Sequence, residues 1–250
     1  LHHAPHPSVW EEVASDTSNC MGKACQHHAA CFYYAARRRM QHAQLLIVNH
    51  ALFFSDLALR IQSPGAGFLP EHDVVVFDEA HTLEAVAGEH LGISVANSQV
   101  DFILRRLYNK TTNRGLLVLH KLPEPQKIVV RCGHRADEFF HSALEWFEKH
   151  TDANGRVREP EIVPNTLSPA LSALAKEVHA SAKRLAKKED QLDLVSAANR
   201  VAALARMIDI WHKQRMEDAV YWIEHTRRGR FNRVELCAAP IDVGPVLREH

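Results

Sequence analysis

The sequence predicts an α/β segment joined to a larger, mainly α region. Two observations carry this. Leu45-Leu46-Ile47-Val48 and Asp73-Val74-Val75-Val76-Phe77 are short, apolar, largely β-branched runs with a helical stretch between them. That is the pattern of neighbouring parallel strands buried on both faces. From about residue 97 onward, apolar residues recur instead at steps of three and four, the helical period.

The elements follow in order. Residues 1–30 are rich in His, Ala, Ser and Asn with little apolar periodicity, and read as irregular structure that needs an external staple. Cys31–Gln44 has no Gly or Pro and reads as a short helix carrying three consecutive arginines. Asn49-His50 end the first apolar run, and a helix is expected over Ala51–Arg60. Ser63–Gly67 is a loop. The second apolar run ends in Asp78-Glu79-Ala80-His81, and Thr82–His90 reads as helical. Helical periodicity then marks Val100–Tyr108, Phe139–Phe147, Leu167–Leu185 and Leu192–Trp211. Pro160, Pro164 and Asn165 break it, and the charged stretch Lys183–Asp190 is expected to join two antiparallel helices. Val220–Ile223 and Phe231–Cys237 flank Thr226-Arg227-Arg228-Gly229-Arg230, a β-hairpin signal that Ala239-Pro240 closes.

Composition excludes several classes. With 250 residues, one large domain or two small ones are expected. At 46% hydrophobic and 24% charged the chain is not collagenous, disulfide-stapled or wholly disordered. Lys+Arg and Asp+Glu both number 30, so any basic surface must be local. No run of ~18 apolar residues suggests a membrane span. The start, Leu1-His2-His3-Ala4-Pro5, lacks the pattern of a secretory signal, and both ends read as cuts in a longer chain.

Three of the five cysteines, Cys20, Cys25 and Cys31, fall within 12 residues, while Cys132 and Cys237 are isolated. An odd number without a secretion signal argues for a reducing compartment. Three thiolates on a segment with little core of its own suit a metal or iron–sulfur site. Zinc is the rival, with His27 or His28 supplying a fourth ligand. Unrelated buried thiols are the plain alternative. A cubane cluster needs a fourth thiolate, which would have to precede Leu1.

Asp78-Glu79-Ala80-His81 closes a hydrophobic strand, which would deliver adjacent carboxylates to the C-terminal edge of a parallel sheet. In nucleoside triphosphatases an Asp there holds magnesium and a neighbouring Glu acts on the attacking water. Acidic pairs also cap helices, the competing reading. The phosphate-cradling motif G-x-x-x-x-G-K-[ST] is absent, and Gly65-Ala66-Gly67 does not replace it. Arg37, Arg38 and Arg39, following Phe32, Tyr33 and Tyr34, suit single-stranded nucleic acid by phosphate contact and stacking, or else form a solvated helix face. Arg227, Arg228, Arg230 and Arg233 at the hairpin pose the same choice.

Taken in this order, the three-cysteine segment, CFYYAARR, LLIVNHALFFSD, LPEHDVVVFDEAH and VELCAAPIDV resemble the DinG/XPD branch of superfamily 2 iron–sulfur DNA helicases, the bacterial DinG-like members above all. The similarity is strong over residues 20–95 and weaker at 157–170 and 219–248. It implies an iron–sulfur domain and a helical arch, both inserted into the first of two RecA-like motor domains. It implies that Cys20, Cys25 and Cys31 match three of four ligands of a 4Fe–4S cluster. Asp78 would match the magnesium position used with ATP, Glu79 the water-activating position, and His81 the residue linking nucleotide to DNA sensing.

The resemblance divides the chain into the end of the cluster domain (1–43), part of motor domain 1 with its DEAH box (44–94), the arch ending in a hairpin (95–235) and a return toward the motor (236–250). The expected fold is thus the edge of a RecA-like parallel sheet with an iron–sulfur segment and a large helical insertion. The expected protein is an internal piece of an ATP-dependent 5′–3′ helicase acting on single-stranded and forked DNA in the bacterial cytoplasm, at the nucleoid. Without a phosphate loop, the piece alone is expected to be inactive as an ATPase. The alternative is a non-enzymatic, zinc-stabilised helical module that binds nucleic acid or protein.

Overall fold

The computed structural model describes residues 20–62, 67–229 and 231–249. The irregular segment expected before residue 20, most of the Ser63–Gly67 loop and Arg230 lie outside them. After a single 3-10 turn at Gly22–Ala24, α1 spans Phe32–Gln41 with Cys31 at its N-cap, and buries none of its residues. Next come α2 (His50–Gln62), α3 (Leu83–Leu91), β1 (Ile93–Ala96), α4 (Asn97–Leu107) and α5 (Leu116–Leu119). α6 (Pro123–Lys149), β2 (Arg156–Val157), α7 (Leu167–Ala182) and α8 (Lys188–His212) follow. β3 (Ala219–Arg228), β4 (Phe231–Pro240) and α9 (Gly244–Glu249) complete the order.

Local chemistry explains the boundaries. α6 opens on Pro123, where a missing N–H costs nothing, with Glu124 in its first turn and Lys149 in its last, both favourable to the helix dipole. It starts well before the expected Phe139 because Val129, Cys132 and Ala136 extend the buried stripe backward. Asn165 does more than break a pattern: its Oδ1 accepts the Ser168 N–H at 3.0 Å and so opens α7. α7 and α8 pack on each other across the charged connection at 183–187.

One large core unites these elements. Leu104, Phe139, Leu171, Leu174, Val201, Ile208 and Trp211 from the helices meet Val95, Ile223 and Leu236 from the sheet. The sheet is antiparallel, in the order β1-β4-β3-β2. Tyr221 and Ile223 pair with Ala238 and Leu236 on its buried face. The Trp211 indole N–H donates to the Cys237 carbonyl at 2.8 Å, pinning α8 to β4. The hairpin is tighter than expected. Thr226, Arg227 and Arg228 pair with Arg233, Asn232 and Phe231, so the ladder runs right up to Gly229, φ +59°.

A second, smaller core lies between α2 and α3. Phe54, Leu57 and Ala87 are buried there, and Val243, Val246 and Leu247 pack against them. The chain therefore returns, after the hairpin, to the helices that preceded it. β1 straddles residue 95 and β4 straddles residue 235, so the antiparallel sheet crosses both expected arch boundaries.

The parallel sheet is where the structure departs from expectation. Leu45–Val48 and Val74–Phe77 take no regular secondary structure, and the antiparallel sheet is the only one among the described residues. Ile47 and Val76 are about nine-tenths exposed (92% and 88%). A strand exists only where another backbone satisfies its N–H and C=O groups, and among the described residues no backbone hydrogen bond joins these runs to another segment.

Candidate functional site

The DEAH segment is gripped from α2. Asn49 Oδ1 accepts the Leu52 N–H at 2.9 Å, which starts that helix. The helix then presents His50, Phe53 and Phe54 to Phe77, with ring centroids 6.1, 5.2 and 6.4 Å away. One turn on, the buried Asp56 accepts N–H groups from Phe68 and Leu69, the latter at 2.8 Å. It also pairs with Arg60 at 2.6 Å. Arg60 in turn donates to the Leu69 carbonyl at 2.7 Å and to Glu71 at 3.2 Å. The hydrogen bond to Asp56 raises the Arg60 pKa above its ordinary value. Gly67 fits against this clasp because a Cβ there would stand 2.6 Å from Arg60 Nε. Phe77, the residue before the DEAH turn, is thus packed against the helix that precedes it, and Phe68 and Leu69 are held by a buried carboxylate.

Glu79 is left-handed, φ 49°, ψ 47°, which costs a non-glycine residue about 1–2 kcal/mol. Local bonds hold it: Asp78 Oδ1 accepts the Glu79 N–H at 2.9 Å, and the Thr82 hydroxyl donates to the Glu79 carbonyl at 3.0 Å. His50 Nδ1 lies 3.1 Å from the same hydroxyl. The Glu79 and His81 side chains meet at 3.3 Å and both stand exposed, as does Asp78. Asp78, Glu79 and His81 therefore share one exposed turn, with both carboxylates open to a cation or a water.

The cysteines are arranged differently. Cys20 is exposed, and Cys25 and Cys31 are half-buried; none is in a disulfide. Cys20 Sγ is 3.8 Å from the Tyr34 hydroxyl, a hydrogen bond that raises the tyrosine pKa. The His28 ring packs on Tyr34 at 4.3 Å. Among the described residues no three His, Cys, Asp or Glu side chains converge to hold a metal. Three free thiols suit a thiolate-ligated cluster chemically, and α1 buries nothing that would resist their closing up; they are not gathered here. Cys132 belongs to the large core and Cys237 is buried on β4, and burial pushes their thiols up to about 11 and about 12. Buried protonated thiols are inert as ligands.

On α1, Arg37 donates to the Tyr33 hydroxyl at 3.3 Å and lies 5.8 Å from the ring centroid. Arg38 reaches the Ala29 carbonyl at 3.4 Å, and Arg39 is exposed. Phe32 is 92% exposed beside them. The helix therefore offers aromatic and basic groups to solvent together.

With this geometry in place, comparison with known proteins is informative. Residues 9–100 match the DEAD_2 family model. The ATP-dependent DNA helicase YoaA of Escherichia coli K12 is 35% identical over 97 residues, covering 39% of this chain and 15% of that protein. Over this segment the chain resembles ATP-dependent DNA helicases. The ATP-dependent DNA helicase DinG of Salmonella typhimurium LT2 is 30% identical over 86 residues, 34% of this chain and 12% of that protein. YoaA of Haemophilus influenzae is 34% identical over 89 residues, 36% and 14%. The chain thus matches less than a sixth of the length of these relatives. The matched segment contains Cys20, Cys25 and Cys31, α1, the α2 clasp and the DEAH turn, and it ends within α4.

Two features of this site were missed in the sequence: the left-handed Glu79 and the His50–Thr82 bond. The Asp56–Arg60 pair had a signal, an acid and a base four residues apart on a helix. Nothing in the sequence marks Glu79 as left-handed.

Proposed function

We propose that this chain is the middle part of an ATP-dependent 5′–3′ DNA helicase of the DinG-like branch. The observation that carries the reading is the DEAH turn. Two exposed carboxylates, Asp78 and the left-handed Glu79, stand next to each other inside the segment shared with proteins named ATP-dependent DNA helicases. Asp78 would hold magnesium on the nucleotide phosphates. Glu79 would orient the attacking water and take its proton, and His81, touching Glu79, would couple that step to DNA. The phosphate cradle and arginine finger come from elsewhere in such a protein, so this chain alone is expected to have no ATPase.

Cys20, Cys25 and Cys31 would hold three corners of a 4Fe–4S cluster, whose role is structural: it closes a segment too poor in apolar residues to fold on its own. Arg37, Arg38 and Arg39 would contact the phosphates of single-stranded DNA near a fork, with the exposed rings stacking on bases. Residues 44–94 would complete a RecA-like sheet once strands from the rest of the motor pair with the two exposed runs. The region from β1 to β4 would form the arch. The protein would act in the bacterial cytoplasm, at the nucleoid; among the described residues no helix is long and apolar enough to cross a membrane.

Two measurements test the reading. In a protein carrying this segment with a phosphate loop, Glu79→Gln should leave ATP bound but nearly unhydrolysed, while Asp78→Asn should weaken magnesium-dependent nucleotide binding or turnover. After anaerobic expression, iron and sulfide should be present and should be lost on serine substitution at Cys20, Cys25 or Cys31, but not at Cys132 or Cys237. Stoichiometric zinc without iron would instead support the zinc-stabilised module.

A further inference from the structure

Glu79 is held in its left-handed conformation by contacts of two kinds. The bonds from Asp78 and Thr82 are local and belong to the turn itself. The third contact is long-range: His50 reaches Thr82 across 32 residues of sequence, from the start of α2. The Thr82 hydroxyl has committed its own proton to the Glu79 carbonyl, so it accepts from the His50 Nδ1–H. The same imidazole lies edge-on to Phe77, the last residue before Asp78. One side chain of α2 therefore touches both ends of the Asp78–Thr82 turn.

We infer that His50 and Thr82 are a positioning pair that fixes the direction of the Glu79 carboxylate. The inference rests on the reading of Glu79 as the group that acts on the attacking water. The bonds of both residues lead to the Glu79 backbone, so each would act through it. A strained residue keeps its geometry only where its surroundings over-determine it, and a small misplacement of a group that orients water lowers turnover rather than substrate binding.

The test uses an ATP-hydrolysing protein that contains this segment, assayed for DNA-stimulated ATP turnover. Thr82→Val keeps the shape and removes the hydroxyl. His50→Phe keeps the ring beside Phe77 and removes the donor. Each should lower kcat by about tenfold or more, with the KM for ATP within about twofold of wild type and the unfolding midpoint unchanged. The double variant should be no worse than either single one, because both break the same chain of bonds. Thr82→Ser and His50→Asn, which restore a hydroxyl and a donor, should recover most of the rate. Glu79→Gln is run in parallel. If it abolishes turnover while Thr82→Val and His50→Phe leave kcat unchanged, or raise KM alone, the positioning pair is wrong and the reading of Glu79 stands. If Glu79→Gln itself turns over normally, the reading fails and the pair fails with it.

Discussion

The five cysteines show how much a residue's meaning depends on its surroundings. Cys20 is exposed and Cys25 and Cys31 are half-buried, on a segment whose helix buries no residue. Cys132 and Cys237 are buried, and burial raises their thiols from 9.0 to about 11 and about 12. That gives a pH dependence with a definite sign. Below pH 9 the folded and unfolded chains both keep these protons, and the contribution to stability is fully present. Between 9 and the folded values the unfolded chain releases protons that the fold retains, so stability falls as pH rises. Every tenfold difference in proton affinity between the two states is worth about 1.4 kcal/mol, as an upper bound. Urea midpoints should therefore drop between pH 8 and pH 10.5, and the drop should be smaller in Cys132→Ala, which starts from a lower midpoint. An identical slope in the variant would show that this thiol is not responsible.

At the scale of elements, α1 and the β2–β3 pairing make separate predictions. α1 holds no buried residue and no side-chain N-cap bond, so its stability depends on whatever the cysteines bind, while its exposed face carries Phe32 and the arginines. Replacing Arg37, Arg38 and Arg39 together with Ala should weaken binding of single-stranded DNA and flatten its dependence on salt, because fewer counterions are released. An unchanged slope of log affinity against log salt would make this face merely solvated. In the β2–β3 pairing, Gly155 adopts φ +76°, and a Cβ there would stand 2.3 Å from the Ile223 carbonyl. The Ile223 N–H also donates to the Gly155 carbonyl at 2.8 Å. Gly155→Ala should cost about 2 kcal/mol or more, read as a lowered thermal midpoint with no change in DNA affinity. A midpoint equal to wild type would mean that β2 moves away from β3 at little cost.

At the scale of the molecule, the exposed apolar runs are the outstanding feature. Leu45, Ile47, Val74 and Val76 are 77–92% exposed, in contrast to the well-filled core between β1 and β4. Exposed apolar segments of this kind associate. The 250-residue chain by itself should self-associate at micromolar concentration, and Ile47→Lys with Val76→Lys should reduce that association, measured by sedimentation. In a complete motor the same pair of changes should be strongly destabilising. Association that is insensitive to both lysines would place the sticky surface elsewhere.

Much of this organisation was legible in the chain. The helical period from residue 97, the hairpin around Gly229 and the helices α1, α2 and α3 follow from periodicity, turn residues and β-branched runs, all of which are local signals. The DEAH turn and the cysteine cluster were legible as motifs because their chemistry demands particular side chains at short spacing. What the sequence could not supply is anything that depends on partners distant along the chain. An apolar run becomes a strand only when another backbone lies beside it, so Leu45–Val48 and Val74–Phe77 stay unpaired here. β1 joins β4 across some 140 residues, and α9 returns to α2 and α3. The hold of His50 on the Glu79 turn arises from a contact between elements. Local order was written in residue types and spacing; the sheet, the two cores and the aim of the carboxylates were decided only by tertiary packing, where burial and hydrogen bonding act between residues that no sequence window contains.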